Sequence, residues 1–260
     1  MPKFDRRTSL LLLVGIAAGF LSGLFGVGGG ILIVPGLLLV AKMEQKNAHG
    51  TSLGATLPIS AASLLTYWNH GNVNWAVALP LAIGAVLGAI YGTKLLVTIN
   101  KKTLAYSFSA ILVASAIRLF LTPGSSVEHA LTFWSVVLLF AIGVVSGVLA
   151  GLLGVGGGIV MVPAMMILLG LPPVIAKGTS VAVIIPTAIT GTIRNRSNKN
   201  VNLQAAAMVG CTGIVSAVAG GYLSDVISDS LSNFLFGSLL TVVALRLFIQ
   251  TVRQPKSVAA

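Results

Sequence analysis

The stretch Gly19-Phe20-Leu21-Ser22-Gly23-Leu24-Phe25-Gly26-Val27-Gly28-Gly29-Gly30-Ile31-Leu32-Ile33-Val34-Pro35 decides the fold, because nearly the same string returns as Gly147 to Pro163. Shifting the chain against itself by 128 positions aligns Gly15 to Phe120 with Gly143 to Phe248 without a gap. Further matches are Gly50-Thr51-Ser52 with Gly178-Thr179-Ser180, Pro58 with Pro186, and Asn72-Val73-Asn74 with Asn200-Val201-Asn202. A duplication of this length predicts two structurally equivalent membrane repeats, 1–125 and 126–260.

The composition is that of a membrane protein. Hydrophobic residues make up 56% of the chain and charged residues only 8%, and the mean hydropathy is +1.00. Such a chain cannot cover itself with a charged surface in water. The net charge of +11 would suggest nucleic-acid binding in a soluble domain, but here the basic residues lie between apolar runs, where they set orientation in a bilayer. We therefore expect the lipid bilayer as a partner and no nucleic acid.

The glycine cluster interrupts the first apolar run of each half. Apolar runs occupy roughly 9–41, 51–68, 75–98 and 103–121, and they recur at roughly 131–170, 178–193, 201–224 and 231–250. The first run of each half is too long for one crossing, which takes about 20 residues. Since glycine costs about 1 kcal/mol in a helix interior, three in succession predict a break. Each first run is therefore predicted to enter the membrane, turn at the glycines and return as a shorter helix.

The basic residues support this hairpin. If both broken runs return to the side they entered from, all of the 16 lysines and arginines except Arg118 and Lys177 fall on one side, which is then cytoplasmic. If each run crossed once instead, the lysines of the 42–49 and 94–102 loops would move outside. We therefore predict an all-α polytopic membrane protein with both termini cytoplasmic. Its two repeats are inverted, and each is a glycine-broken helical hairpin plus three transmembrane helices.

The glycine triplets are the first candidate binding residues. Gly28, Gly29 and Gly30, and equally Gly156, Gly157 and Gly158, begin new helices whose first amides lack intrahelical acceptors. An anion can accept from such amides, because a helix N-terminus carries partial positive charge and glycine lets a ligand approach the backbone. Close helix packing is the alternative, and it is the favoured interpretation for Gly15, Gly19, Gly23 and their equivalents.

Polar residues after the hairpins are further candidates. Thr51, Ser52, Thr179 and Ser180 head the second apolar run of each half, where they would serve as N-caps or donate to an oxyanion. His49 and Lys177 precede them, and either lie at the surface or gate and steer an anion. Pro58 and Pro186 are predicted to kink their helices.

The chain lacks the usual signatures of an enzyme or an acidic ion relay. Asp and Glu are absent from every apolar run, and no HExxH motif, nucleophile elbow or intramembrane aspartate pair occurs. We therefore expect no catalytic residues, no metal site and no cofactor.

The paired Gly-x-x-x-Gly-x-x-Gly-Val-Gly-Gly-Gly…Pro motifs, each followed by Gly-Thr-Ser at 50 and 178, resemble the sulfite exporter TauE/SafE family over nearly the whole chain. The resemblance implies a permease of the bacterial or archaeal plasma membrane, the inner membrane, for small anions such as sulfite, sulfoacetate or other organosulfonates. Inverted repeats with broken helices favour a secondary transporter. The alternatives are an anion channel of the same architecture and a membrane-embedded protein without transport. The expected partner besides the bilayer is the small anionic substrate, and a homo-oligomer is left open.

Overall fold

The described part of the chain consists of helices joined by short turns and loops, and it contains no strand. The structure is a computed structural model that describes residues 6–95, 101–121 and 131–253. The helices are α1 Arg6–Phe25, α2 Gly30–Leu39, α3 Gln45–Asn69, α4 Trp75–Leu95, α5 Lys101–Leu121, α6 Phe133–Leu153, α7 Gly158–Leu169, α8 Pro173–Ser197, α9 Leu203–Val226 and α10 Asp229–Arg253. Helices α1–α5 form the first half and α6–α10 the second. The predicted boundary between residues 125 and 126 lies outside the described residues.

The glycine breaks are present in both halves. Helix α1 ends just before the first cluster and α2 begins within it, and α6 and α7 repeat this around the second cluster. The Arg7 guanidinium donates a 2.5 Å hydrogen bond to the Ala41 carbonyl, and Gly36 lies against Val14. Helix α2 therefore returns along α1. With 10 residues it is about 15 Å long, half of a hydrocarbon core of about 30 Å.

Each half packs its first helix against a helix of the other half. Helix α1 packs on α9 of the other half, and α6 packs on α4. A β-carbon on Gly15, Gly19 or Gly23 would lie only 2.0 to 2.2 Å from atoms of α9. Gly143 and Gly147 leave equally little room against α4, whereas Gly151 leaves 3.7 Å. These glycines therefore allow the close helix contact that the sequence predicts for them.

Equivalent helices of the two halves run in opposite directions. In the α3–α8 pair, Gly50 near the start of α3 lies beside Asn200 just past the end of α8, and Gly178 near the start of α8 lies beside Asn72 just past the end of α3. The α5–α10 pair shows the same order, since the Phe120 ring contacts Phe234. This arrangement agrees with the predicted inversion, which stays a prediction with respect to the membrane.

The outer surface is apolar, as contact with lipid requires. Helices α1, α6, α8 and α9 are long and apolar enough to cross a membrane by length and composition. Large apolar side chains such as Leu13, Leu79 and Val215 are more than half exposed. Trp68, Trp75 and Trp134, which stand at helix ends, are exposed as well. Such tryptophans are typical of the membrane interface.

Two helices begin earlier than their apolar runs. Helix α3 begins at Gln45 instead of 51, and α8 begins at Pro173 instead of 178. Their first turns contain polar residues or proline, which a count of apolar residues does not detect. Pro58 and Pro186 lie inside α3 and α8 as expected, and a kink at either one stays a prediction.

Candidate functional site

Each glycine turn depends on a left-handed backbone. The φ angles of Gly26, Gly28 and Gly29 are 68°, 77° and 72°, and those of the equivalent Gly154, Gly156 and Gly157 are 64°, 83° and 80°. Side chains with a β-carbon rarely adopt this region, so glycine is required there. Gly30 and Gly158, the last members of the triplets, are instead the first residues of α2 and α7.

The two turns touch each other. A β-carbon on Gly30 would lie 2.5 Å from the Gly154 carbonyl oxygen, and one on Gly158 would lie 2.6 Å from the Gly26 carbonyl oxygen. The predicted binding triplets, which are far apart in sequence, therefore meet in one buried place. The N-termini of α2 and α7 start from this contact.

The backbone amides at these N-termini are open. The Gly29 carbonyl accepts from Leu32 and Ile33, and the Gly157 carbonyl accepts in the same way from Val160 and Met161. No described residue accepts from the amides of 28–31 or 156–159. A buried amide without an acceptor is costly, and both helix dipoles add partial positive charge. The contact between the turns is thus electrically positive without an arginine.

One face of α3 and one face of α8 flank the turns. On α8, the backbone of Lys177 lies against Gly26, and Ile184, two turns further along, lies against glycines of both clusters. Ser180 is on the same face between them. On α3, the backbone of His49 lies against Gly154, and Thr56 lies against Gly28. The predicted residues of both halves are therefore brought together around one centre.

The two equivalent serines differ in their hydrogen bonds. The Ser52 hydroxyl donates a 2.8 Å bond to the Gly154 carbonyl, whereas the buried Ser180 hydroxyl has no partner among the described residues. The hydroxyls of Ser146, whose backbone packs on Gly157, and of Ser22, whose carbonyl accepts from the Gly26 amide, are also buried and unpaired there. Three buried and unpaired hydroxyls therefore belong to residues of the helices next to the turns. Such groups usually mark a bound water or ligand.

The threonines connect the halves. Thr51 and Thr179 are fully buried, and their hydroxyl oxygens accept 2.9 Å hydrogen bonds from the amides of Asn202 and Asn74. They lie inside α3 and α8, whose N-caps are Glu44 and Pro172, so the N-cap interpretation is wrong. The cause is the early start of both helices. Each of these hydrogen bonds joins one half to the other, and we call Thr51 and Thr179 the threonine clamps.

The interpretation that Lys177 lies at the surface is wrong. Its side chain is only 1% exposed, and His49 is partly buried. The Lys177 ammonium donates to the hydroxyls of Ser224, at 3.1 Å, and Ser232. The apolar run around Lys177 could have indicated burial, but its hydroxyl partners lie on two other helices. Sequence reasoning therefore missed Ser224 and Ser232.

The asparagine partners of the threonines were also missed, although a signal was present. Asn74 and Asn202 belong to the repeated Asn-Val-Asn motif, which recurs with the same spacing as the threonines. Both side chains cap their helices by accepting from Val77 and Ala205. Two short motifs that are duplicated together are candidates for mutual contact.

The groups that surround the turns are mainly hydrogen-bond donors. Among the described residues, no group of three or more His, Cys, Asp or Glu side chains could hold a metal ion. What surrounds the turns is backbone amides, hydroxyls and the single ammonium of Lys177. These groups donate hydrogen bonds, and an acceptor with negative charge is their natural partner.

The chain matches one protein family over most of its length. The family model described as "Sulfite exporter TauE/SafE" matches residues 2–119 and 138–259. The "Probable membrane transporter protein YunE" of Bacillus subtilis (strain 168) is 28% identical over 94% of this chain and 96% of its own length. The "Probable membrane transporter protein MJ0441" of Methanocaldococcus jannaschii is 31% identical over 71% of this chain and 70% of its own length.

Proposed function

This chain belongs to the sulfite exporter TauE/SafE family of multi-pass membrane permeases, and we propose that it is a secondary transporter of small anions. The proposed substrates are sulfite, sulfoacetate and other organosulfonates, carried across the plasma membrane, the inner membrane of a bacterium or archaeon. Both termini lie in the cytoplasm on this proposal. The family and its relatives indicate a transporter and not an enzyme.

The observation that carries the proposal is the contact between the two glycine turns. Gly30 abuts Gly154 and Gly158 abuts Gly26, so two helix N-termini converge on one point. A single anion at this point would accept from open amides of both halves and would lie at the positive ends of both helix dipoles. Oxyanions with several acceptor atoms suit such a set of donors, because each oxygen can accept from a different group.

Unpaired serine hydroxyls strengthen the proposal. Ser180 lies on the face of α8 between two residues that contact the turns, and its buried hydroxyl has no partner among the described residues. A buried donor left unpaired costs about 1 to 3 kcal/mol. A bound anion that accepts from Ser180 removes this cost. Ser52 already donates to Gly154, so its role is to hold the second turn in place.

The packing of the halves is suited to alternating access. Transporters with inverted repeats move one part of the fold against the other around a fixed central site. Here the substrate would lie between the turns, and helices α1 and α6 would carry the turns. Because opposite halves supply the two turns, relative movement of the halves would expose the anion to one side at a time.

Transport itself is the decisive test. We would reconstitute the full chain into liposomes and measure uptake and counterflow of sulfite, sulfoacetate, methanesulfonate and acetate, with and without a pH gradient. A carrier gives saturable uptake that internal substrate accelerates. Rapid flux without counterflow would instead identify a channel, and no flux of any anion would contradict the transport function.

Two glycine variants test the location of the site. Gly156→Ala would place a methyl group 3.4 Å from the Ile184 side chain and 3.6 Å from the Val27 carbonyl, at the contact between the turns. Gly71→Ala is the matched control, because Gly71 has a similar φ of 71° but no atom within 4 Å. Both variants carry backbone strain of about 1 kcal/mol. Only Gly156→Ala should weaken sulfite binding, by about tenfold; equal binding by both variants would place the anion elsewhere.

A further inference from the structure

The Lys177 side chain is the one cation beside the glycine turns in the described part of the chain. It is buried on α8. Its ammonium lies 5.7 Å from the ring centroid of Phe25, which is the last residue of α1. Its own backbone lies against Gly26. The ammonium therefore lies beside the last residue of α1, on the side formed by α9 and α10.

This ammonium has only neutral hydrogen-bond partners. Ser224 and Ser232 accept from it, and no described carboxylate lies within the 4.0 Å of an ion pair. Asp229 is the acidic residue whose charge acts on it from further away. A buried charge is normally compensated by a close opposite charge, and two hydroxyls compensate it only in part. If the lysine served only to join α8 to α9 and α10, a neutral donor would do so at a lower desolvation cost.

The protons around Lys177 leave two donors for a ligand. The ammonium has three protons, and the two serines take two of them. Ser224 also lies beside Tyr67, whose hydroxyl donates a 2.5 Å bond to the Gly23 carbonyl in the last turns of α1. Ser232 donates to no described residue, so its hydroxyl proton and the third ammonium proton remain. One positive charge with two nearby donors is the recognition chemistry of an oxyanion.

Lys177 also lies between the start of α8 and the residues of α8 that contact both turns. It is near the start of α8, where neighbouring Gly178 lies beside Asn72, and the Asn72 side chain donates to Asp225 in an exposed pair. Further along the same face of α8 come Ser180 and then Ile184, which contacts both turns. An anion that follows this face from the exposed end meets Lys177 before it meets the open amides.

The positions equivalent to these residues in the duplication carry no such group. The position equivalent to Lys177 is His49, the one equivalent to Ser232 is Leu104, and the one equivalent to Tyr67 is Asn195. The Asn195 side chain donates to a carbonyl of its own helix, at Gly191, instead of reaching another helix. The group formed by Lys177, Ser232 and Tyr67, which we call the lysine cluster, therefore breaks the two-fold symmetry of the site.

We propose that Lys177 and Ser232 form a second oxyanion site, which holds a sulfonate, sulfite or carboxylate group on one side of the paired glycine turns. This inference rests on the proposed transport function, since the anion is the transported one. The site loads the substrate from the end where α8 begins. Ser224, which accepts from Lys177, lies beside Tyr67, and the hydrogen bond from Tyr67 to Gly23 connects this region to the last turns of α1.

The test measures transport separately from the two membrane faces. Right-side-out and inside-out vesicles that contain the full chain would give the half-saturating concentrations of sulfite and methanesulfonate at each face. Lys177→Gln keeps a hydrogen-bond donor but removes the charge. Because a hydrogen bond to a charged group contributes about one to two decades of affinity, we expect half-saturation to rise about tenfold or more at one face. Half-saturation at the other face should change less than about twofold.

His49→Gln is the matched control, because it alters the equivalent position of the other half. We expect it to leave half-saturation unchanged at the face where Lys177 takes up the substrate. Ser232→Ala keeps the lysine and should raise half-saturation at the same face about threefold. This variant decides the matter if Lys177→Gln does not fold. Unchanged half-saturation in the variants, or an equal rise at both faces, would overturn the lysine site while transport by the wild type stands. A wild type that transports neither anion would overturn the proposed function as well.

Discussion

The Ser52 hydroxyl of the first half donates a 2.8 Å hydrogen bond to the carbonyl of Gly154 in the glycine turn of the second half. The equivalent bond from Ser180 to the first turn is absent, and the Ser180 hydroxyl has no described partner. One turn is thus held by α3, while the other is not held in this way by α8. The duplication therefore produces two similar turns with different attachments.

This difference predicts unequal effects of two equivalent serine variants. Ser52→Ala leaves the buried Gly154 carbonyl without its donor and should lower the free energy of unfolding by about 1 to 3 kcal/mol. Ser180→Ala removes an unpaired hydroxyl and should change the stability of the anion-free protein by less than half as much. Thermal unfolding in detergent measures both. Sulfite should stabilise the Ser52→Ala protein but stabilise Ser180→Ala less than wild type, and the reverse order would contradict the assigned roles.

The threonine clamps should contribute equally to stability. Thr51→Val and Thr179→Val keep the shape of the side chain but remove the acceptor for the amides of Asn202 and Asn74. Each should lower the free energy of unfolding by about 1 kcal/mol, as for a typical lost hydrogen bond. Thr→Ser at either position retains the oxygen and serves as the control. If the valine variants unfold like the serine variants, the clamps do not stabilise the protein.

Alanine at the equivalent glycines 29 and 157 should not have equal effects. The duplication alone predicts comparable effects, but a β-carbon on Gly29 would lie 2.8 Å from the Ala18 carbonyl, a backbone atom. At Gly157 the nearest atom, also at 2.8 Å, is the flexible end of the Met161 side chain, and the backbone atom equivalent to that of Ala18, the Ser146 carbonyl oxygen, lies further away at 3.0 Å. Gly29→Ala should therefore give less folded protein than Gly157→Ala, as measured by the monodisperse fraction after purification. Equal yields would show that the Ala18 backbone can move away.

The orientation in the membrane can be read from cysteine labelling. With Cys211 replaced by serine, single cysteines at 45 and 197 should react only with a reagent on the cytoplasmic side, and one at 227 only from outside. The expectation follows from the positive-inside distribution of lysine and arginine. Labelling at 45 from outside would restore a topology in which each first run crosses the membrane once.

Much of this fold could be predicted because its main signals are local and repeated. Three successive glycines strongly disfavour a continuous helix. Their second copy at 156–158 shows that the pattern belongs to both halves of the chain. The early starts of α3 and α8 could not be found by the same means. Their first turns are rich in polar residues or proline, and they are helical because they pack against the rest of the protein.

The site was predicted in part for the same reason. The glycine triplets follow from sequence, since the left-handed backbone at Gly28 and Gly29 is a local requirement. The burial of Lys177 is not local, because it depends on Ser224 and Ser232 on α9 and α10. The difference between Ser52 and Ser180 was equally hidden, since identical residues in identical motifs predict identical bonds.

The packing of α1 on a helix of the other half has a consequence for biosynthesis. The glycine-lined face of α1, which receives α9, leaves the ribosome before most of the chain has been made. Until α9 emerges, this face has only lipid, the translocon or an insertion factor to cover it. The first half therefore enters the bilayer before the helix that packs on its glycine-lined face has been made. A chain that is truncated before α9 would leave this face of α1 without its packing partner.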